Sequence, residues 1–284
     1  MISATDERAR PSSTDDGNAS SAIQVSDLTF TYPNGGVTAL TSLTLDIRRG
    51  RSVGIVGPSG CGKSTLLSLI AGLMSPSAGR LAVSSFDPHR QRITMMFQKD
   101  TLLPWLTATE NIKLFYRIHG GRKPQDLKQR VDELLALAGL SAFGNYYPYQ
   151  LSGGMRRRAV FLSTVLPQPE ILLLDEPFSS LDEPTRVAIH QDVLQIIRRM
   201  KMTVVLVTHD LAEALSLCDE VIVLTARPGT FAARRQVPFG ADRSMLELRR
   251  TPEFLRLYAE LWEELSLQID ASHKKGDDMR VVAS

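Results

Sequence analysis

Cysteine is scarce: two residues of 284, Cys61 and Cys218. Two thiols build no disulfide framework, and no CxxC pair or Cys/His metal spacing accompanies them, so a reducing compartment is the plain expectation. Charge of one sign is also missing. Thirty-three Lys and Arg stand against 31 Asp and Glu, a formal net charge of +2. With no whole-molecule field to draw in a nucleic acid or a lipid surface, any phosphate chemistry has to be local. Nor does any stretch approach the roughly 18 consecutive apolar residues of a membrane span. The opening MISATDERARPSSTDDGNASSA has no apolar core of the signal-peptide kind, and the chain is expected to cross no bilayer by itself.

What is present looks globular. Hydrophobic residues make up 43% and charged residues 23%, near the proportions of folded domains, and the length suggests about two units. Residues 1–22 hold too little apolar surface to offset ordering entropy and are expected to be a disordered tail. Ile23, Val25, Leu28 and Phe30 then mark an extended segment, and Leu43, Leu45 and Ile47 alternate with polar residues before an Arg49-Gly50 turn. Both read as antiparallel strands with one wet face, joined through Pro33, Asn34, Gly35 and Gly36.

From Ser52 onward the apolar runs become continuous: Val53 to Val56, Ile171 to Leu174, Val204 to Val207, Val221 to Leu224. Such runs fit strands covered on both faces, and helical patterns between them predict an α/β, doubly wound core. One helix opens with Pro184 in its first turn and carries Val187, Leu194 and Ile197 toward Arg198 and Arg199. Between Gln98 and Leu151 the alternation stops. Leu127, Val131, Leu134, Leu135 and Ala138 recur at helical spacing there, with Gly139 as the stop, so a helical insertion interrupts the sheet. The expected boundaries are a main domain over 23–240, its helical part at about 99–154, and a C-terminal unit over 241–284. That last unit starts as an amphipathic helix at Pro252, with Phe254, Leu257, Tyr258, Leu261 and Leu265 on one side, and turns polar from Ser272.

The strongest chemical signal is Gly57-Pro58-Ser59-Gly60-Cys61-Gly62-Lys63-Ser64-Thr65, lying after an apolar strand and opening a helix. That is a phosphate loop in its proper context. Glycines let backbone N–H groups converge on an anion, the helix start adds partial positive charge, Lys63 can bridge β- and γ-phosphate oxygens, and Ser64 can ligate Mg²⁺. A nucleoside triphosphate is the implied ligand. Cys61 is expected mainly to fill space, but a helix N-terminus lowers a thiol's pKa, which predicts alkylation that bound ATP would retard.

Phosphoryl transfer to water also needs a held metal and an oriented nucleophile. Ile171-Leu172-Leu173-Leu174-Asp175-Glu176 supplies acids at a strand end: Asp175 for Mg²⁺ and Glu176 to polarise the attacking water. Arg156, Arg157 and Arg158 form a basic run, expected to be a solvated helix face rather than a nucleic-acid patch.

Between loop and acidic strand lies Leu151-Ser152-Gly153-Gly154-Met155, which resembles the signature of ATP-binding cassette (ABC) proteins. The resemblance covers nearly the whole expected fold. It implies a P-loop NTPase core of the ABC ATPase type with an antiparallel β subdomain and a helical subdomain insertion. It further implies Tyr32 stacked on adenine, Gln98 contacting Mg²⁺ and water, Ser180-Leu181-Asp182 as the D-loop, and His209 as the γ-phosphate switch. Ser152, Gly153 and Gly154 would then face the ATP of a second cassette, a second copy of this chain, so that two ATP molecules are sandwiched head to tail. Met155 departs from the family's usual Gln.

Leu102, Leu103 and Trp105, directly after Gln98, place large apolar groups where a partner helix could be gripped. The Leu-Leu-Pro-Trp-Leu run, the signature, Ala226-Arg227-Pro228-Gly229 and the helix from Phe254 to Leu265 together resemble the nitrate, sulfonate and taurine branch of bacterial importer ATPases. That resemblance implies transmembrane permease subunits, an extracytoplasmic solute-binding protein acting indirectly, no nucleic acid, and a peripheral place on the cytoplasmic face of the membrane. The alternative is a soluble ABC ATPase acting on nucleic acid or ribosomes.

Overall fold

The computed structural model describes residues 21–33, 36–86, 91–119, 124–240 and 245–282. Most of the expected tail, together with Asn34 and Gly35 of the expected joining loop, lies outside these. Strands β1 (Ser21–Thr31) and β2 (Thr38–Arg48) pair antiparallel with Val25 opposite Leu45 and Leu28 opposite Leu43. In β2 the apolar members of the alternation are buried and Thr44, Asp46 and Arg48 are exposed, as one wet face requires. The first strand starts two residues earlier than the apolar pattern suggested: Ser21 and Ala22 are buried in it, and the Ser21 hydroxyl bonds Asp46.

Strand β3 (Ser52–Val56) feeds helix α1 (Lys63–Ile70). Strand β4 (Ala78–Val83) joins β1 to complete the antiparallel sheet. Strand β5 (Ile93–Met96) then opens a second sheet, and four helices follow it: α2 (Ala108–Ile112), α3 (Leu114–Ile118), α4 (Leu127–Leu137) and α5 (Gly153–Val165). The core resumes with β6 (Ile171–Asp175), α6 (Glu183–Met200), β7 (Thr203–Val207), α7 (Leu211–Leu217), β8 (Glu220–Leu224) and β9 (Phe231–Gln236). The sheet order is β5-β6-β7-β3-β8-β9, parallel except for the antiparallel edge β9, whose Arg234 and Arg235 are exposed.

The continuous apolar runs are explained by two cores. Leu172 and Leu174 of β6 pack with α4, α5 and α6, while Ile171 and Leu173 point to the opposite face, against α1 and the antiparallel sheet. Neither face is wet, so no polar position interrupts the strand. Backbone approach is close where α7 crosses β3: a Cβ on Gly54 would stand 3.0 Å from Ala214 Cβ.

Within the helical insertion, Asn111 is buried and fastens the preceding loop. Its amide donates to the carbonyls of Leu103, Leu106 and Thr107, and its oxygen accepts the Leu103 N–H at 2.7 Å. Thr107 and Glu110 add a capping box at the start of α2.

Helices α8 (Met245–Leu248) and α9 (Pro252–Val282) end the described chain. Phe254, Leu257, Leu261 and Leu265 are buried beside Val221 and Val223 of β8 and Leu215 of α7. Each such side chain contributes about 1.5–3 kcal/mol by burial, so this helix shares a core with the main sheet. Beyond Ser272 the backbone stays helical to Val282. Phe239, Phe254, Tyr258 and Trp262 stack in sequence along its flank.

Candidate functional site

The loop between β3 and α1 is set by Gly62, whose φ of 105° lies in the left-handed region that a side chain would strain. Lys63 follows, buried, with its Nζ donating to the carbonyl oxygens of Gly57 at 2.8 Å and Pro58 at 2.9 Å. Ser64 Oγ donates to Asp175 Oδ1 at 2.9 Å. Gly62, Lys63 and Ser64, together with Tyr32, Ser59, Gly60, Thr65 and Glu176, line an open hollow of about 400 Å³, within the range of small-molecule sites. The Tyr32 hydroxyl lies 2.8 Å from Thr65 Oγ1, and its ring meets Phe30 edge to face.

Cys61 corrects one expectation. Its side chain is 1% exposed and belongs to the core beneath the loop. Burial pushes the thiol up, outweighing the Lys63 charge and the backbone hydrogen bonds that favour thiolate. A helix start lowers a thiol only where the thiolate can be solvated or paired, and here it faces Gly57 and apolar neighbours.

At the end of β6, Glu176 adopts φ 43° while its N–H donates to Val207 O at 2.8 Å. Such a backbone costs about 1–3 kcal/mol and concentrates at functional sites. Its Oε2 accepts from Gln98 Nε2 at 3.1 Å and lies 3.3 Å from His209 Nδ1. Two residues from two other loops therefore converge on one carboxylate. Burial, aided by the Glu176 charge, raises the Asp175 carboxyl above its usual range against the opposing Ser64 bond and Lys63 charge. Among the described residues no group of three or more His, Cys, Asp or Glu forms a metal cage. The Ser64 and Asp175 oxygens fit Mg²⁺ instead, since that ion is commonly held by one or two protein oxygens plus phosphates and water.

Ser152 caps α5, accepting the Met155 N–H at 3.3 Å. Ser152, Gly154 and Met155 line a separate shallow hollow of about 350 Å³ with Pro184 and Thr185, next to Asp182 at the start of α6. Gly153 opens the helix between them. The two hollows share no lining residue, so the signature is no part of the hollow around the phosphate loop. Met155 packs partly against the core, which accounts for an apolar side chain there.

The arginine run is not a solvated face. Arg157 is 1% exposed, Arg156 and Arg157 both reach Asp100, and Arg158 pairs with Asp192 at 3.2 Å. Carboxylates distant in sequence draw all three inward. Trp105, by contrast, is 69% exposed, whereas Leu102 packs against the core. Arg227 lines the first hollow although only its membership in a family-like run had singled it out. A long-range pair of backbone bonds, Gly229 N–H to Ala39 O and Thr41 N–H to Gly229 O, brings its segment there, and nothing local in the sequence signals that.

The family model described as ABC transporter matches residues 40–179. A taurine import ATP-binding protein, TauB, from Jannaschia sp. (strain CCS1) is 36% identical over 250 residues, 86% of this chain and 91% of that protein. The chain belongs to the ABC transporter family. A nitrate import ATP-binding protein, NrtC, from Synechococcus elongatus is 38% identical to this ABC protein over 84% of its chain, covering 37% of the longer relative. A dimeric post-hydrolysis structure of the ATP-binding cassette MJ0796, bound to ADP and Pi, superposes with a TM-score of 0.65 at 31% identity. It covers 77% of this chain and 100% of that one. The antiparallel sheet, the parallel-rich sheet and the helical insertion are those of an ABC-type ATPase, as the signature implied.

Proposed function

We propose that this ABC ATPase is the energy-supplying subunit of an importer for a small solute of the taurine, nitrate or sulfonate kind. The observation that carries the chemical part is the convergence of Gln98 and His209 on Glu176, beside the Ser64–Asp175 contact. In this reading the N–H groups from Gly57 to Thr65 and the Lys63 ammonium grip the β- and γ-phosphates of ATP. Tyr32 stacks on the base. Ser64, Asp175 and Gln98 would hold Mg²⁺, which would supply neutralisation of the charge that develops on the transferred phosphoryl group. Glu176 orients and polarises the attacking water, and His209 holds that carboxylate and the γ-phosphate in line.

Ser152, Gly153 and Gly154, with Asp182 beside them, complete the site of a second copy across the dimer. Their separation from the chain's own loop supports that arrangement, as does the dimeric state of the MJ0796 cassette. Trp105 and its loop offer the docking surface for transmembrane permease subunits, with a solute-binding protein acting through them. The importer reading is supported by the names of the relatives. Among the described residues no helix is long and apolar enough to cross a membrane, and the subunit is read as peripheral on the cytoplasmic face.

The test is crosslinking of a Ser59→Cys, Ser152→Cys variant carrying Glu176→Gln, with ATP and Mg²⁺. Crosslinks between two chains are expected. Crosslinks confined to single chains would overturn the shared site.

A further inference from the structure

Arg157 lies in the second turn of α5 and is buried, yet every nitrogen of its guanidinium has a partner. Nε donates to Pro177 O at 2.5 Å, Nη1 to Asp100 Oδ1 at 3.1 Å and Nη2 to Phe97 O at 3.2 Å. These partners flank the reaction centre. Pro177 directly follows Glu176, Phe97 directly precedes Gln98, and Asp100 stands between Gln98 and Trp105. The guanidinium therefore braces from behind the same two main chains whose side chains meet in front, Gln98 Nε2 to Glu176 Oε2.

Asp100 is held twice. Arg156 Nε reaches its other oxygen at 3.4 Å, and Arg156 Nη1 donates to the carbonyl of Leu151, which opens the signature, at 2.7 Å. A guanidinium this buried depends on its carboxylate, because removing that partner leaves an uncompensated buried charge. Its planar fork also fixes direction, which an ammonium would not. Displacing Asp100 thus displaces Arg157, and with it Pro177 and α5.

We propose that Arg157 is a positioning residue that, through Asp100, makes the placement of Glu176 and of the signature helix depend on where the Trp105 loop sits. The inference rests on the reading of Glu176 as the water-orienting carboxylate.

The test is steady-state ATP hydrolysis by the full chain carrying Asp100→Asn, Asp100→Glu or Arg157→Gln, with Glu176→Gln as reference. Asp100→Asn and Arg157→Gln each lower kcat about tenfold or more, with KM for ATP held within about twofold, because displacement near 1 Å can cost up to about 10² in rate. Asp100→Glu, which keeps the charge, recovers most of the rate. A double variant is no slower than the slower single, as expected of groups acting as a unit. Arg157→Gln strands the buried Pro177 carbonyl as well as that of Phe97 and can lose the fold. Asp100 is partly exposed and decides the matter alone in that event. Asp100→Asn with a parental kcat, or losses that multiply in the double variant, would overturn the proposal. If Glu176→Gln is inactive while Asp100→Asn turns over normally, only this inference fails; if Glu176→Gln itself turns over normally, the catalytic reading fails with it.

Discussion

Ser64 and Asp175 stand 111 positions apart in the chain, and the hydroxyl of one donates to the carboxylate of the other at 2.9 Å. The contact joins the end of β6 to the first turn of α1 and fixes the two oxygens proposed to hold Mg²⁺. Burial, against the pull of that bond, leaves Asp175 in a setting that disfavours its charge.

That setting has a measurable sign. Burial raises the folded-state pKa of Asp175, so the nucleotide-free protein loses stability as pH rises from the ordinary carboxylate range through the raised value. Asp175→Asn should remove that cost and raise Tm near pH 7 without nucleotide, while abolishing Mg²⁺-dependent hydrolysis. A thermal melt paired with a phosphate-release assay checks both halves. A lower Tm would show that the carboxylate's bond outweighs its burial.

Replacing Glu176 with Gln should leave ATP binding intact and slow hydrolysis by roughly 10² to 10⁴ if the carboxylate acts as general base. ATP-bound dimers should then accumulate in sedimentation. Parental turnover in this variant would take Glu176 out of the chemistry.

Lys63→Ala acts earlier. The ammonium spans two loop carbonyls, and its loss should weaken ATP affinity by about tenfold or more, a charge-assisted bond contributing about 1.5–3 kcal/mol. Nucleotide titration monitored by fluorescence measures this, and an unchanged Kd would refute the assigned grip.

Both thiols are buried. A chromogenic thiol reagent should therefore find almost none in the native protein and two in denaturant, with ATP making little difference to the native rate. Rapid native labelling of Cys61 would show the loop opening on its own.

Trp105→Ala should leave Tm and basal hydrolysis near parental values, since the indole is largely exposed, yet reduce co-purification with a permease. Full retention would move the docking surface elsewhere.

The phosphate loop, the acidic strand end and the signature were legible because each is a contiguous run whose chemistry depends on local spacing. Arg157 was not. Its stem is apolar, its neighbours Arg156 and Arg158 suggest a wet face, and its partners Asp100 and Pro177 lie 57 and 20 positions away. Arg227 escaped for the same reason, its place set by backbone pairing with residues near Ala39. Strand β1 begins two residues before its apolar pattern because Ser21 and Ala22 are small and carry no periodic signal, although both are buried. Sheet order, too, comes from pairings across the chain, but the double apolar coverage of β6 announced that both of its faces were covered.

Edge strand β9 leaves Arg235 exposed at the rim of the six-stranded sheet, while Arg234 reaches back to Glu220 of β8. A foreign strand laid flat along that rim would have to accommodate a guanidinium group beside its own backbone. Wherever copies crowd together, this border resists ribbon-like fusion and amyloid-style growth.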